Sequence, residues 1–140
     1  MSAHEAVRGT AVSIRQAAWR AGGAILLAMG GAAVAVTIGS LILTGGGVIL
    51  LPLALPLLTA GYLVLRAMPG ARVVGFLVAA VYGWLIWSWF AVYPLGGLTP
   101  PPGQPDTRHI DIVSALVALV FMTAAALILA GRARREAPDR

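Results

Sequence analysis

The sequence predicts an all-α, polytopic membrane protein: an antiparallel bundle of four transmembrane helices, arranged as two hairpins, with both termini in the cytoplasm. Hydrophobic residues make up 59% of the 140 residues and charged residues only 11%, against about 25% charged residues in a soluble domain. Long uncharged runs alternate with glycine- and proline-rich turns, and arginine is concentrated on one side of these runs. We therefore treat residues 1–140 as a single membrane domain.

The first half of the chain is expected to form one hairpin. No charged residue occurs between Arg20 and Arg66. A hydrocarbon core about 30 Å thick needs about 20 helical residues, so this interval holds two spans, which we place at about 22–43 and 48–65. Glycines 45–47 form the turn, because triple glycine is a poor helix former. The run after Arg20 is too long for a signal peptide, so we predict an uncleaved first span.

Residues 1–21 are predicted to be a cytoplasmic segment. Arg8 and Arg15 lie on a different helical face from an apolar set with helical spacing, which comprises Val7, Ala11, Ile14 and Ala18. This pattern is typical of a helix that lies on the inner leaflet. Gly9, Thr10 and Ser13 are poor helix formers, so a disordered tail is the alternative.

The second half of the chain is expected to form the other hairpin. A Pro-Gly turn between Arg66 and Arg72 leads into a third span at about 73–93. Residues 94–111 form a proline-rich outer loop, since proline removes backbone donors and fixes φ. The fourth span follows at about 112–130, and residues 131–140 are a basic cytoplasmic tail.

The orientation follows from the arginines at the ends of the predicted spans. Nine of the ten arginines lie on one side and only Arg108 lies on the other, and arginine-rich ends are retained in the cytoplasm. The residues that set this topology are Arg20, Arg66, Arg72, Arg132, Arg134 and Arg135. The use of arginine without lysine suggests a GC-rich bacterial genome. These arginines are not interleaved with aromatic residues as in a nucleic-acid-binding patch, so we expect no nucleic-acid partner.

Small residues form a stripe along one face of the predicted first span. Its members are Ala24, Ala28, Gly31, Ala35 and Gly39. Small stripes let membrane helices approach closely. The stripe is therefore predicted to pack against other helices, either within the four-helix bundle or in another subunit.

Two further features of the spans allow a structural and a functional interpretation. Pro52 and Pro56 predict a bend in the second span, which we interpret as structural, although broken helices also occur at transporter substrate sites. Aromatic residues near the span ends predict interfacial anchors, namely Trp19, Trp84, Trp87, Trp89 and Tyr93. A ligand cage built from Trp84 and Trp87 is the alternative.

The most polar outer cluster contains Asp106, Arg108, His109 and Asp111. A metal site normally needs three or four ligands, and the only other histidine, His4, lies on the opposite side of the predicted membrane. We therefore expect this cluster to cap the fourth helix through Asp106, Thr107 or Asp111. Cysteine is absent, which excludes disulfides and thiolate sites. No metal or cofactor is predicted.

The predicted spans contain no ionisable residue other than tyrosine. Acid–base catalysis and proton-coupled transport usually need such residues in the membrane, so we do not expect an enzyme. The leading hypothesis is a non-catalytic accessory or scaffold subunit in the lipid bilayer, which self-associates or packs against a larger membrane complex. The alternatives are a small transporter or flippase for a neutral or amphipathic solute and an outer-surface enzyme or metal site at His109 and Asp111.

Overall fold

The computed structural model describes residues 3–44, 50–88 and 108–131, with side chains for residues 9–43, 52–88 and 112–131. Within these ranges the chain forms four α-helices and no β-strand, which confirms the predicted all-α class. The helices are α1 (Ala3–Thr44), α2 (Leu50–Leu65), α3 (Ala71–Ile86) and α4 (Arg108–Ala130). Both α1 and α4 are long and apolar enough to cross a membrane, whereas α2 and α3 are apolar helices of 16 residues each.

The first helix is longer than the predicted span. The chain is helical from Ala3, and α1 continues past Arg20 without a break. Its 42 residues correspond to about 63 Å at about 1.5 Å per residue, which is about twice the thickness of a hydrocarbon core. The poor helix formers near its start do not interrupt it, and the Ser13 hydroxyl donates a hydrogen bond to the Thr10 carbonyl oxygen at 2.8 Å.

The last helix begins earlier than the sequence predicts. The predicted outer loop includes residues 108–111, yet α4 begins at Arg108. Pro105 is the last proline before this helix, and residues 108–111 contain neither proline nor glycine, so nothing there opposes a helical backbone. The predicted turn at 45–47, the loop residues 94–107 and the tail residues 132–140 lie outside the described residues.

The four helices pack in a ring in chain order. The α1 helix lies along α2 and α4, α3 lies along α4 and α2, and α1 and α3 barely touch across the diagonal. Gly23 lies beside Leu65 and Gly30 beside Leu58, so α1 and α2 run antiparallel. The largest fully buried apolar side chains between the helices are Leu26, Val64, Phe121 and Ile128.

The chain reverses between α2 and α3 through a Schellman motif. The amide of Met68 donates to the Leu63 carbonyl oxygen at 3.1 Å, and the amide of Ala67 donates to the Val64 carbonyl oxygen at 3.1 Å. These bonds satisfy carbonyl groups at the end of α2. Ala67 adopts the left-handed conformation with a φ of 51°, and Gly70 has a φ of 77°. The predicted Pro-Gly turn therefore depends on Ala67 as well.

Side chains from α1 and α3 tie the helices together at one end of the bundle. The Trp19 indole N–H donates to the Val64 carbonyl oxygen at 2.6 Å. A methyl group at Gly131 would lie 2.7 Å from the Trp19 Cα, so the end of α4 also packs against α1 here. The Arg72 guanidinium donates to the Leu129 carbonyl oxygen. We call this end, formed by residues 15–20, 65–72 and 129–131, the arginine end.

Candidate functional site

The small stripe on α1 faces away from the other described helices. Ala24, Ala28, Gly31 and Ala35 are exposed, and Gly39 is half-buried. A methyl group added at Gly31 or Gly39 would meet no atom within 4 Å. Within the described part of the chain, the stripe is therefore not where α1 packs against its neighbours.

Other glycines make the contacts of α1 within the chain. A methyl group at Gly22 would lie 2.7 Å from the Ile128 side chain of α4, and one at Gly61 would lie 2.8 Å from the backbone nitrogen of Leu27. These separations are too short for a real Cβ atom, so the helices touch through their backbones. Our sequence analysis missed these residues. Because α1 carries small residues on both sides, Gly22, Gly23 and Gly30 were no clearer a sequence signal than the stripe.

A second row of small residues lies on α3 and is buried. Its members follow each other at four-residue steps and are Ala71, Gly75, Ala79 and Gly83. A methyl group at Gly75 would lie 2.6 Å from Val64 Cγ2, and one at Gly83 would lie 3.2 Å from Met122 Sδ. The row therefore lets α3 fit closely against α2 and α4. Its spacing is visible in the sequence and is typical of contacts between membrane helices.

The prolines of α2 lie on its exposed side. Helix α2 continues through Pro52 and Pro56, and Pro56 provides no amide donor for the Pro52 carbonyl oxygen. In the same turn, the hydroxyl of Tyr82 donates to the Leu53 carbonyl oxygen at 2.6 Å. A side chain of α3 therefore bonds to α2 one residue after the carbonyl group that lacks its helical donor. The bend predicted at these prolines stays a prediction.

The predicted aromatic anchors do not share one environment. Trp84 on α3 and Trp87, directly after α3, are 64% and 45% exposed, and their role as interfacial anchors stays a prediction. Trp19 is only 4% exposed, and its indole is bonded inside the bundle. Its side chain therefore belongs to the core. The sequence had instead predicted that it would lie at the headgroup level. Trp89 and Tyr93 lie outside the described residues.

An apolar groove of about 490 Å³ opens between α3 and α4, away from the arginine end. Gly83, Trp84 and Trp87 line it from α3, and Leu119 and Met122 line it from α4. The lining is almost entirely apolar. Since burying an unpaired polar group is costly, the groove suits a hydrocarbon tail better than a polar ligand.

Two threonine hydroxyls within the helices bond to their own backbone. Thr37 is buried, and its hydroxyl donates to the Ala33 carbonyl oxygen at 2.7 Å; Thr123 donates to Leu119 at 2.8 Å. Such bonds to the residue four positions earlier are common for helical Ser and Thr. Among the described side chains, no buried polar atom lacks a partner. These hydroxyls are therefore not directed at a solute.

The outer polar cluster is described only in part. Asp106 lies outside the described residues, and Arg108, His109 and Asp111 open α4 with side chains that are not described. Elsewhere in the described ranges, no three potential metal-ligating side chains come together. The helix-capping interpretation of this cluster stays a prediction.

The arginines that were predicted to set the topology gather at one end of the bundle where they are described. Arg20 and Arg66 are exposed and Arg72 is half-buried. The remaining three follow Gly131 and lie outside the described residues: Arg132, Arg134 and Arg135. The described part of this group is therefore a cationic edge at the arginine end.

Comparisons with protein-family models, with curated proteins and with solved structures found no match to this chain. The small stripe, the apolar groove and the arginine end are three surfaces that are accessible from outside the described bundle.

Proposed function

We propose that this chain is a four-span membrane protein that acts as a non-catalytic accessory or scaffold subunit. In this proposal it lies in a cell membrane with the arginine end in the cytoplasm. Helices α2 and α3 are each about 24 Å long, shorter than the hydrocarbon core of about 30 Å. A bilayer thins around short spans, and flanking arginines, here Arg66 and Arg72, hold the span ends at the headgroup level.

Exposed apolar side chains on all four helices support the membrane placement. Examples are Ile42 on α1, Leu55 on α2, Leu77 on α3 and Leu119 on α4, which are 77%, 58%, 52% and 62% exposed. Soluble monomers rarely expose apolar patches larger than a few hundred Å². A hydrocarbon environment accommodates such side chains without cost.

The outward position of the small stripe is the observation that carries the accessory role. Helix α1 already packs against α2 and α4 through Gly22, Gly30 and neighbouring residues on its opposite side. The stripe offers a second surface on which a helix backbone can approach closely, and close approach drives helix association in lipid. We propose that this surface packs against a second copy of the chain or a subunit of a larger complex.

Association through the stripe is tested by native mass spectrometry in mild detergent. Gly31→Leu and Ala35→Leu place bulk on the stripe, and Ala126→Leu makes the same change at an exposed position of α4. We expect the stripe variants to weaken association about tenfold, or about 1.4 kcal/mol, and the control to leave it unchanged. A strictly monomeric wild-type protein with no copurifying partner would refute the accessory role.

Membrane placement and orientation are tested separately. We expect the protein to sediment with bilayers after carbonate extraction and a reporter fused after Arg140 to be active in the cytoplasm. Protein in the supernatant would exclude the membrane placement. A reporter active only outside the cell would reverse the orientation and leave the four spans in place.

The apolar groove favours a second candidate, a small transporter or flippase for a neutral or amphipathic solute. The groove between α3 and α4 has the lining that a hydrocarbon tail needs, with Trp84 and Trp87 along it. Flux of a fluorescent lipid in proteoliposomes tests this function, with Trp84→Ala as the groove variant and the exposed Leu55→Ala as control. Wild-type flux no greater than that of empty vesicles excludes it.

A further inference from the structure

The packing contacts place three arginines at nearly one level along the bundle. Gly23 lies beside Leu65, and Gly61 beside Leu27, which sets the register between α1 and α2. The same register puts Arg66 opposite Gly22, only two residues, or about 3 Å, from the level of Arg20.

The end of α4 brings Arg72 to this level. Gly131 packs against the Trp19 backbone, directly beside Arg20 in the chain. Leu129, which accepts the hydrogen bond from Arg72, lies two residues before Gly131, or about 3 Å along the axis. We call Arg20, Arg66 and Arg72 the arginine collar.

The positive charge of the collar has no counter-charge among the described side chains. Residues 9–43, 52–88 and 112–131 contain no aspartate or glutamate. The collar therefore presents three cations without a neighbouring described carboxylate. Arg15 is the other arginine whose side chain is described. It lies five residues before Arg20 in α1, which places it about 7.5 Å farther from the bundle along the helix axis.

Two collar side chains are held in place by contacts that leave donors for a ligand. The Arg66 guanidinium lies over the Tyr62 ring, 5.5 Å from its centroid, and Tyr62 is 49% exposed. This contact holds the guanidinium over the ring of a residue one turn earlier in α2. Arg72 uses one nitrogen for Leu129, and a guanidinium has five N–H donors in total. Both arginines can therefore still donate to phosphate oxygens.

We propose that the arginine collar binds the phosphate groups of anionic phospholipids in the leaflet at the arginine end. This inference rests on the proposed placement of the chain in a membrane. Arginine matches phosphate geometry through paired donors, and basic residues near an anionic leaflet attract it. A lipid without a cationic headgroup is preferred, because the three positive charges of the collar repel a choline or ammonium group.

The experiment compares lipid retention in nanodiscs of phosphatidylcholine alone and of equal parts phosphatidylcholine and phosphatidylglycerol. Native mass spectrometry counts the lipids that stay bound to the wild-type protein and to Arg20→Gln, Arg66→Gln and Arg72→Gln. Arg15→Gln removes the same charge outside the collar and is the matched control. We expect each collar variant to lower the preference for phosphatidylglycerol about fivefold and the control to change it little.

Further variants separate this proposal from its alternatives. Arg66→Lys keeps the charge and should retain most of the preference. If Arg15→Gln lowers the preference as much as Arg20→Gln, the binding is diffuse surface attraction and the collar is refuted. A copurifying acidic protein that phosphatidylglycerol does not displace also refutes it. Failure to enter phosphatidylcholine nanodiscs would instead overturn the membrane placement itself.

Discussion

The hydroxyl of Tyr82 donates a hydrogen bond of 2.6 Å to the carbonyl oxygen of Leu53, three residues before Pro56 in the neighbouring helix. The Tyr82 ring also packs against Phe121 of α4, with 5.7 Å between the ring centroids. One side chain of α3 therefore joins α2 and α4. Pro56 leaves the carbonyl oxygen of Pro52 without its helical donor, so the Tyr82 bond lies one residue from the interrupted position.

Replacing Tyr82 with phenylalanine should lower the stability by about 1 kcal/mol, because the hydrogen bond is lost while the ring contact stays. Thermal unfolding in mild detergent measures this loss. Tyr62→Phe removes a hydroxyl from an exposed ring and should change stability by less than about 0.5 kcal/mol.

A double-mutant cycle tests whether this bond compensates for proline. In a Pro56→Ala background the Pro52 carbonyl oxygen, one residue before the Leu53 acceptor, regains its helical amide donor. If the Tyr82 bond compensates for the interrupted turn, Tyr82→Phe should cost less there than in the wild-type background. An equal cost in the two backgrounds would show that the Tyr82 bond acts independently of Pro56.

Because Trp19 is buried in the core, we expect substitutions there to lower the free energy of unfolding more than substitutions at an exposed tryptophan do. Trp19→Phe removes the bond to Val64 and part of the buried ring, so it should cost about 2 kcal/mol. Trp84→Phe at a ring that is 64% exposed should cost less than about 0.5 kcal/mol. Unfolding midpoints in the same detergent give the comparison, and equal effects of the two substitutions would argue against a core role for Trp19.

The helices were more predictable than their faces. Charge-free runs between Arg20 and Arg66 and after Asp111 indicated where helices form, and the Pro-Gly turn was placed correctly. A run of apolar residues, however, has no polar side to mark which face is buried. The sequence therefore directed attention to Gly31, although Gly22 and Gly30 make the close contacts with other helices.

Two other differences have local physical causes. The sequence predicted a separate helix on the inner leaflet before the first span, whereas α1 continues through both segments, because residues 16–24 contain no proline and mostly good helix formers. A tryptophan next to Arg20 resembles an interfacial anchor. Only the position of the Val64 carbonyl oxygen, 45 residues away, shows that its N–H is bonded inside the bundle.

Gly61 and Gly31 should respond in opposite directions to alanine. At Gly61 the added methyl group would lie 2.8 Å from the Leu27 backbone nitrogen, so the helices must separate, at a cost of about 1–3 kcal/mol. At Gly31 it would meet no atom within 4 Å, so the higher helix propensity of alanine should stabilise the protein by about 0.5–1 kcal/mol. Unfolding midpoints of detergent-solubilised monomers measure both changes. A loss at Gly31 in monomers would mean that residues outside the described ranges cover the stripe.

The turn between α2 and α3 offers a matched pair of substitutions at left-handed positions. Ala67 has a φ of 51°, where an L-residue is strained by about 1–2 kcal/mol, so Ala67→Gly should relieve this strain. Glycine also increases the entropy of the unfolded chain by about 0.4–1 kcal/mol, which leaves a net gain of about 0.5–1 kcal/mol. Gly70 has a φ of 77° and open space around it, so Gly70→Ala should cost about 1 kcal/mol through backbone strain alone. Thermal unfolding of both variants shows whether each substitution raises or lowers the stability. If Ala67→Gly were destabilising, contacts of the Ala67 methyl group with the core would outweigh its backbone strain.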